Sequence, residues 1–129
     1  TDISALDRAR SHLAELSAIV ESSDDAIIGN TLAGTITSWN RGAERLYGYA
    51  PEQAISQPMR MLMQPGTEAE LERYLEQIRR GEKVEHVGAL SRHQAGASVD
   101  VSTTLSPIHD RRGQITGISA IGRDIAPLT

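Results

Sequence analysis

The stretch AIIGNTLAGTITSWNRGAERLYG, residues 26–48, decides the fold that we predict for this chain. It contains two short apolar runs, AIIGN and TITSWN, that are separated by TLAG. Gly34 can take a positive φ in that turn without steric cost. Two apolar runs joined by a short glycine-containing turn are typical of a β-hairpin, so we predict strands at 26–30 and 35–39.

The second strand runs directly into a helical pattern. Asn40 is a favourable N-cap, since its side chain can accept a hydrogen bond from a backbone N–H of the first helical turn. RGAERLYG follows, and Gly48 suits the C-terminal end of a helix at 41–48. A strand that breaks into a helix leaves a concave space between sheet and helix. We predict that the rest of the chain covers this space.

The composition excludes several classes of function. At 129 residues the chain has room for one core, and its net charge of -4 gives no general attraction to nucleic acid or to anionic membranes. No apolar run approaches the ~20 residues of a membrane span, so we expect a cytoplasmic domain without direct membrane contact. The chain has no Cys. Disulfides, zinc–thiolate sites, thiol nucleophiles and thiol-linked chromophores are therefore excluded.

Residues 2–21 repeat apolar side chains at helical spacing. The stripe is nearly three heptads long and consists of Leu6, Ala9, Leu13, Leu16 and Val20. Two interpretations stay open. The helix packs on its own domain, or it also pairs with its copy in a homodimer through Leu6, Leu13, Leu16 and Val20. The turn residues SSDD end the helix, and we assign residues 1–22 to it.

Short helices are predicted after the hairpin, because Gly and Pro recur at brief intervals. PEQAI and MRMLM, which begin at Pro51 and Met59, are the candidates. A longer helix is predicted at 67–82, where Thr67 and Glu70 form a capping box. Its apolar face repeats at helical spacing and consists of Leu71, Tyr74, Leu75 and Ile78.

The apolar period changes to that of a strand after this helix. We predict strands at 84–93, 98–109 and 115–125, with QAGA and DRRG as the turns of an antiparallel meander. Small or apolar residues on both faces of ITGISAIG favour a central position for the last strand. The predicted fold class is α+β, with one five-stranded antiparallel sheet, helices on one face and the N-terminal helix on the other.

This order of elements and several motifs resemble the PAS domain family over about residues 15–125. In the stretch SSDDAIIGNTLAGTITSWNRGAERLYGYAPEQAISQP the matching anchors are Trp39-Asn40, Ala43-Glu44, Leu46 and Gly48-Tyr49. In the last hairpins they are Gly96, Val99-Asp100-Val101-Ser102, Ser106-Pro107-Ile108, Gly113 and Gly117. Arg123-Asp124-Ile125 is similar to the family's terminal Asp-Ile-Thr signature, with Ala126 in place of Thr.

The resemblance implies a non-catalytic sensory or dimerisation module of a bacterial signalling protein, such as a histidine kinase of a two-component system or a diguanylate cyclase. It places a PAS core at 23–126 and the start of a linker to an output domain at 127–129. In the family a signal moves through the final strand into that linker, here through Arg123, Asp124 and Ile125. A homodimer and a fused output domain are the expected partners.

Some members of the family hold a small molecule between the helices and the sheet. The residues that we place in such a pocket are Trp39, Ala43, Met59, Met63, Leu71 and Leu75. In a core that is short of aromatic residues, the Met side chains are gap-fillers or the walls of a small adaptable pocket. The alternative is a ligandless domain for protein–protein interaction, in which these residues are ordinary core.

Three kinds of cofactor can be compared with the residues present. Flavin-binding members need a Cys where Met59 stands, and members with a thioester-linked chromophore need one near Gly66. Oxygen-sensing haem members place a His near the position of Leu71, but no His occurs between 13 and 85. The thiol-dependent cofactors are excluded, and a haem is disfavoured, although a Met side chain could still bind iron. The expected cofactor is none or an unknown small molecule.

No metal or catalytic site is predicted. The four His residues do not have the spacing of a ligand cluster; they are His12, His86, His93 and His109. Asp24 and Asp25 lie in a predicted turn, where adjacent carboxylates usually cap or are solvated. A small α+β enzyme of another superfamily is the remaining alternative, and no coherent nucleophile and base support it.

Overall fold

Five strands form one antiparallel sheet in the computed structural model, which describes residues 18–88 and 90–125. In chain order they are β1 (Ala26–Asn30), β2 (Ile36–Trp39), β3 (Val84–Val87), β4 (Val101–His109) and β5 (Ile115–Asp124). The spatial order is β2-β1-β5-β4-β3, so β5 is the central strand. Both predictions, the antiparallel meander and the central last strand, are confirmed.

The helices lie between β2 and β3 in the sequence. They are α1 (Arg41–Tyr47), α2 (Pro51–Ala54), a 3₁₀-helix (Met59–Leu62) and α3 (Glu68–Arg79), and residues 18–22 are also helical. The caps predicted for α1 are confirmed: Asn40 Oδ1 accepts from the Ala43 N–H at 3.0 Å, and Gly48 has a φ of 82°.

α3 has 12 residues, and no helix within 18–88 and 90–125 is long and apolar enough to cross a bilayer.

The core lies between the helices and one face of the sheet. Alternate residues of the strands point into it, as in β1, where Ala26, Ile28 and Asn30 are buried and the residues between them are less so. On the opposite face Ile108 and Ile121 are 40% and 44% exposed. The N-terminal helix that we predict to cover that face belongs mostly to residues 1–17, which are outside the described part of the chain.

The strand predicted at 84–93 is wrong in length, since β3 ends at Val87. Beyond it, the backbone finds partners among the helices instead of on β4. The Arg92 N–H donates to Leu62 O at 2.9 Å, and the Gln94 N–H donates to Tyr47 O at 2.8 Å. Tertiary contacts therefore end this strand, although its apolar pattern continues.

The capping box predicted at Thr67 is also wrong. Its side chain makes no cap hydrogen bond to α3; the hydroxyl instead donates to Gln64 O at 2.7 Å. The hydroxyl thus closes the turn that precedes the helix. The apolar face of α3 is confirmed, with Leu75 and Ile78 fully buried.

Candidate functional site

The side chains that we place in a ligand pocket all contribute to one hydrophobic core. Five of them are at most 5% exposed, namely Trp39, Ala43, Met59, Met63 and Leu75. Leu71 is partly buried and packs against the same cluster. The structure therefore brings the predicted pocket residues together in one hydrophobic cluster.

Trp39 lies at the strand–helix break, where its indole N–H and its ring both contact the tyrosines that follow it. The indole Nε1 donates to Tyr49 O at 2.9 Å. The ring centroid is 5.8 Å from that of Tyr47 and 6.4 Å from that of Tyr49, in tilted and edge-on arrangements that aromatic pairs favour. The three aromatic rings form one cluster that fixes α1 and the segment after it against the sheet.

Besides the helix cap Asn40, two uncharged polar side chains are buried in the core of the described part of the chain. Asn30 and Thr103 are 3% and 1% exposed, and neither Asn30 Oδ1 nor Thr103 Oγ1 has a hydrogen-bond partner in the described part of the chain. The Thr103 hydroxyl lies beside the hydroxyl of Tyr47 but outside the geometry of a hydrogen bond. Burial raises the pKa of Tyr47 far above its usual range, and the nearby Thr103 hydroxyl lowers it by less.

These buried polar groups were not predicted from the sequence. Asn30 and Thr103 occupy inward positions of β1 and β4, where alternation alone predicts an apolar residue. A polar residue that interrupts an alternating apolar face was the available signal. Because buried polar groups are normally paired, the two orphan oxygens mark the places where the core could accept a hydrogen bond from a guest.

The proposed relay residues lie where β5 ends. Arg123 and Asp124 are its last residues and are exposed, and the Ile125 N–H donates to Asp100 O at 3.0 Å. The Ile125 side chain is 55% exposed. A cleft of about 630 Å³ adjoins this end of the strand and has Asp24, Arg45, His93 and Asp100 among its lining residues.

Residues 18–88 and 90–125 contain no arrangement of side chains that would form a metal site, and the chain has no Cys for thiol chemistry. No group of three His, Asp or Glu side chains there could hold a metal ion. His93 Nδ1 accepts from the Ala95 N–H at 3.0 Å, which is a local turn contact. Met59, where the resemblance implies the flavin-reactive Cys of other members, is 1% exposed and packs in the core. The residues present therefore do not fit a flavin–thiol adduct.

The predicted dimer stripe is mostly outside the described residues. Leu6, Leu13 and Leu16 fall within 1–17. Val20 and its neighbour Ile19 are described, and they are 40% and 64% exposed.

Comparison with known proteins assigns the family. The sequence profile of the PAS fold matches residues 14–125. The crystal structure of a PAS domain from Colwellia psychrerythraea is 30% identical, has a TM-score of 0.74, and is covered over 96% of its length by 88% of this chain. No curated protein matches the chain.

Two further structures share the fold at lower identity. The PAS domain of an HTR-like protein from Haloarcula marismortui is 20% identical with a TM-score of 0.75, and the match covers 94% of this chain and 98% of that one. The LOV protein of Rhodobacter sphaeroides is 15% identical with a TM-score of 0.73, covering 91% and 68%. By sequence profile, identity and coverage, the chain belongs to the PAS domain family, whose members are sensory and interaction modules.

Proposed function

We propose that this PAS domain is a non-catalytic signalling module that dimerises through its N-terminal helix and relays a signal through its last strand. The output domain would follow residue 129 in a longer cytoplasmic protein, such as a bacterial histidine kinase or diguanylate cyclase. The relay residues would be Arg123, Asp124 and Ile125.

The position of β5 is the observation that carries this proposal. β5 pairs with β1 on one side, from Ala26↔Gly122 to Asn30↔Ile118. On the other side it pairs with β4, as far as Val101↔Asp124. A shift of either neighbour must therefore be accommodated by β5, whose last residues reach the exposed edge of the domain.

A chimera tests the relay. The chain is joined through its C-terminal end to the catalytic region of a histidine kinase, and autophosphorylation is measured. We expect Ile125→Asp to change the rate at least about fivefold, which is the lower end of typical coupling energies. Ile108→Asp is the matched control, because Ile108 is also an exposed apolar residue but lies far from the junction, near the end of β4. Equal effects of the two variants would exclude the relay.

Two readings of the core remain as proposals. In the first, Trp39, Ala43, Met59, Met63, Leu71 and Leu75 surround a small molecule, and the buried oxygens of Asn30 and Thr103 support this. In the second, the domain is a ligandless interaction module, and the nearly complete burial of these apolar side chains supports that. Native mass spectrometry of freshly purified protein distinguishes them. An apo mass, together with no thermal shift across a metabolite panel, selects the ligandless module.

A further inference from the structure

Asn40 bonds to three separate segments of the chain through one side-chain amide. Its Oδ1 accepts from the N–H groups of Ala43, at 3.0 Å, and Ile27, at 2.8 Å. Its Nδ2 donates to the carbonyls of Val20, at 2.8 Å, and Asp25, at 2.9 Å. The residue is 2% exposed. It therefore connects the helical residues 18–22, the start of β1 and the first turn of α1.

The amide uses its whole hydrogen-bonding capacity in this position. A side-chain amide has two donors and an oxygen with two lone pairs, and all four are engaged here. It caps α1 with its oxygen, while its nitrogen satisfies Val20 O, a carbonyl of the helical segment 18–22. An Asp could keep the first function but not the second, because an ionised carboxylate donates no hydrogen bond.

Gly42 allows the first turn of α1 to lie against the backbone of residues 24–25. We call the contacts of Asn40 and Gly42 with residues 20–27 the joint. A Cβ at Gly42 would lie within van der Waals overlap of the backbone, 2.2 Å from Asp25 O and 2.9 Å from Asp24 O. The first turn of α1 is thus in direct contact with the backbone that leads into β1. Any larger residue must push these segments apart, since backbone atoms cannot turn aside as a flexible side chain does.

The ion pair between α1 and the segment before β1 is weak by comparison. Arg45 and Asp24 are 3.2 Å apart, but their side chains are 61% and 93% exposed. Exposed pairs of this kind contribute little, because water and salt screen them. The buried amide and the close backbone contact are the stronger constraints.

We propose that Asn40 and Gly42 are positioning residues that fix the direction in which residues 18–22 leave the sensor core. A tilt of α1 is then transmitted to the N-terminal side of the domain as well as to β5. This inference rests on the proposed signalling role for its biological meaning. The contacts of Asn40 and Gly42 are present in the isolated chain, so they can be tested without a ligand or an output domain.

The absence of Cys makes the joint measurable with spin labels. Ile19→Cys and Glu76→Cys report the angle between residues 18–22 and α3, and Glu76→Cys with Arg111→Cys reports the core alone. All three positions are exposed. We expect Asn40→Asp to widen the distance distribution of the 19/76 pair about twofold, because two buried donors are lost, and to leave the 76/111 pair unchanged. Gly42→Ala should do the same, while Arg45→Gln should change neither pair.

The outcomes separate the proposal from a plain stability effect. A 19/76 distribution as narrow as in the parent protein, in either variant with an intact core, would overturn it. Equal widening by Arg45→Gln would overturn it too, because the exposed ion pair would then carry the constraint. If both Asn40→Asp and Gly42→Ala widen the 76/111 pair as well, the joint is an inseparable part of the core and the proposal is also wrong. If the kinase chimera shows no relay, the spin-label distances still test this proposal, because they need no output domain.

Discussion

The hydroxyl of Tyr47 donates a 2.7 Å hydrogen bond to the carbonyl of Leu90, which is 43 residues away in the chain. The bond is buried, and Tyr47 is 1% exposed at the C-terminal end of α1. The backbone carbonyl of the same residue accepts from the Gln94 N–H. Tyr47 therefore attaches α1 to the connection between β3 and β4.

Removal of this hydroxyl should destabilise the fold. We expect Tyr47→Phe to lower the free energy of unfolding by about 1–3 kcal/mol, because Leu90 O stays buried without its donor. Urea denaturation followed by circular dichroism measures the change. Tyr49→Phe is the control, since Tyr49 is only partly buried, and it should cost less. Equal losses would show that the Leu90 bond contributes nothing specific.

The same residue predicts a loss of stability at alkaline pH. Burial raises the pKa of Tyr47 in the folded state. In the unfolded chain the tyrosine hydroxyl has its ordinary pKa of about 10. The unfolded state then loses its proton first, so stability is fully present below pH ~10 and falls as the pH rises further. Tyr74 also has a raised pKa, from burial and the Glu70 carboxylate, and titrates in the same direction.

Unfolding free energies between pH 8 and 11 test this linkage, a range that brackets the ordinary tyrosine pKa of about 10. Tyr47→Phe should flatten the decline more than Tyr74→Phe, because Tyr47 is the more deeply buried of the two. A slope that Tyr47→Phe leaves intact would contradict the prediction.

Thr103 offers a test of the unpaired hydroxyl in the core. Thr103→Val keeps the shape and removes a buried oxygen that has no partner in the described residues. We expect the variant to be more stable by about 1 kcal/mol, as desolvating an unpaired hydroxyl is unfavourable. Thermal unfolding measures it, with Thr104→Val on the opposite, partly exposed side of the strand as the control. A loss of stability would mean that the hydroxyl is satisfied, by the neighbouring Tyr47 hydroxyl, by a guest or by a water.

Gly48 and Gly96 form a matched pair for measuring a side-chain contact. Both have positive φ, 82° and 91°, but only a Cβ at Gly48 would meet a neighbour, His93 Nε2 at 2.5 Å. Both Ala variants incur the left-handed backbone strain, of about 1 kcal/mol. Gly48→Ala should cost about 1 kcal/mol more, from displacing the ring. In a His93→Ala background, Gly48→Ala should cost no more than Gly96→Ala costs in that same background, which removes the effect of losing the ring itself. A difference that persists there would point away from the ring contact.

The proposed dimer is tested at the centre of the apolar stripe. Leu13→Glu should lower the dimer fraction in light scattering, because it introduces a charge where we expect two apolar faces to meet. Ser11→Glu, outside the stripe, is the control. A parent chain that stays monomeric at high protein concentration would contradict the dimer.

The local elements were largely predictable because short-range patterns decide them. The alternating run AIIGN is β1, with the predicted bounds, and the Asn40 and Gly48 caps define α1 as expected. The amphipathic spacing of α3 identified its buried face. The strand predicted at 84–93 is shorter because of long-range partners: Leu62 O and Tyr47 O accept the backbone N–H groups of Arg92 and Gln94. The Thr67 cap was instead lost to a local partner, Gln64, which is three residues away.

The candidate site shows the same division. From residue types alone, the chain excludes thiol chemistry and predicts an aliphatic, Met-rich core beside Trp39. Sequence also identified Asn40 as a helix cap, since that bond spans only three residues. Its bonds to Val20, Asp25 and Ile27, the Tyr47–Leu90 bond and the unpaired oxygens of Asn30 and Thr103 depend on packing. Only the tertiary structure could decide them, because partners 13 to 43 residues apart come together only when the sheet closes on the helices.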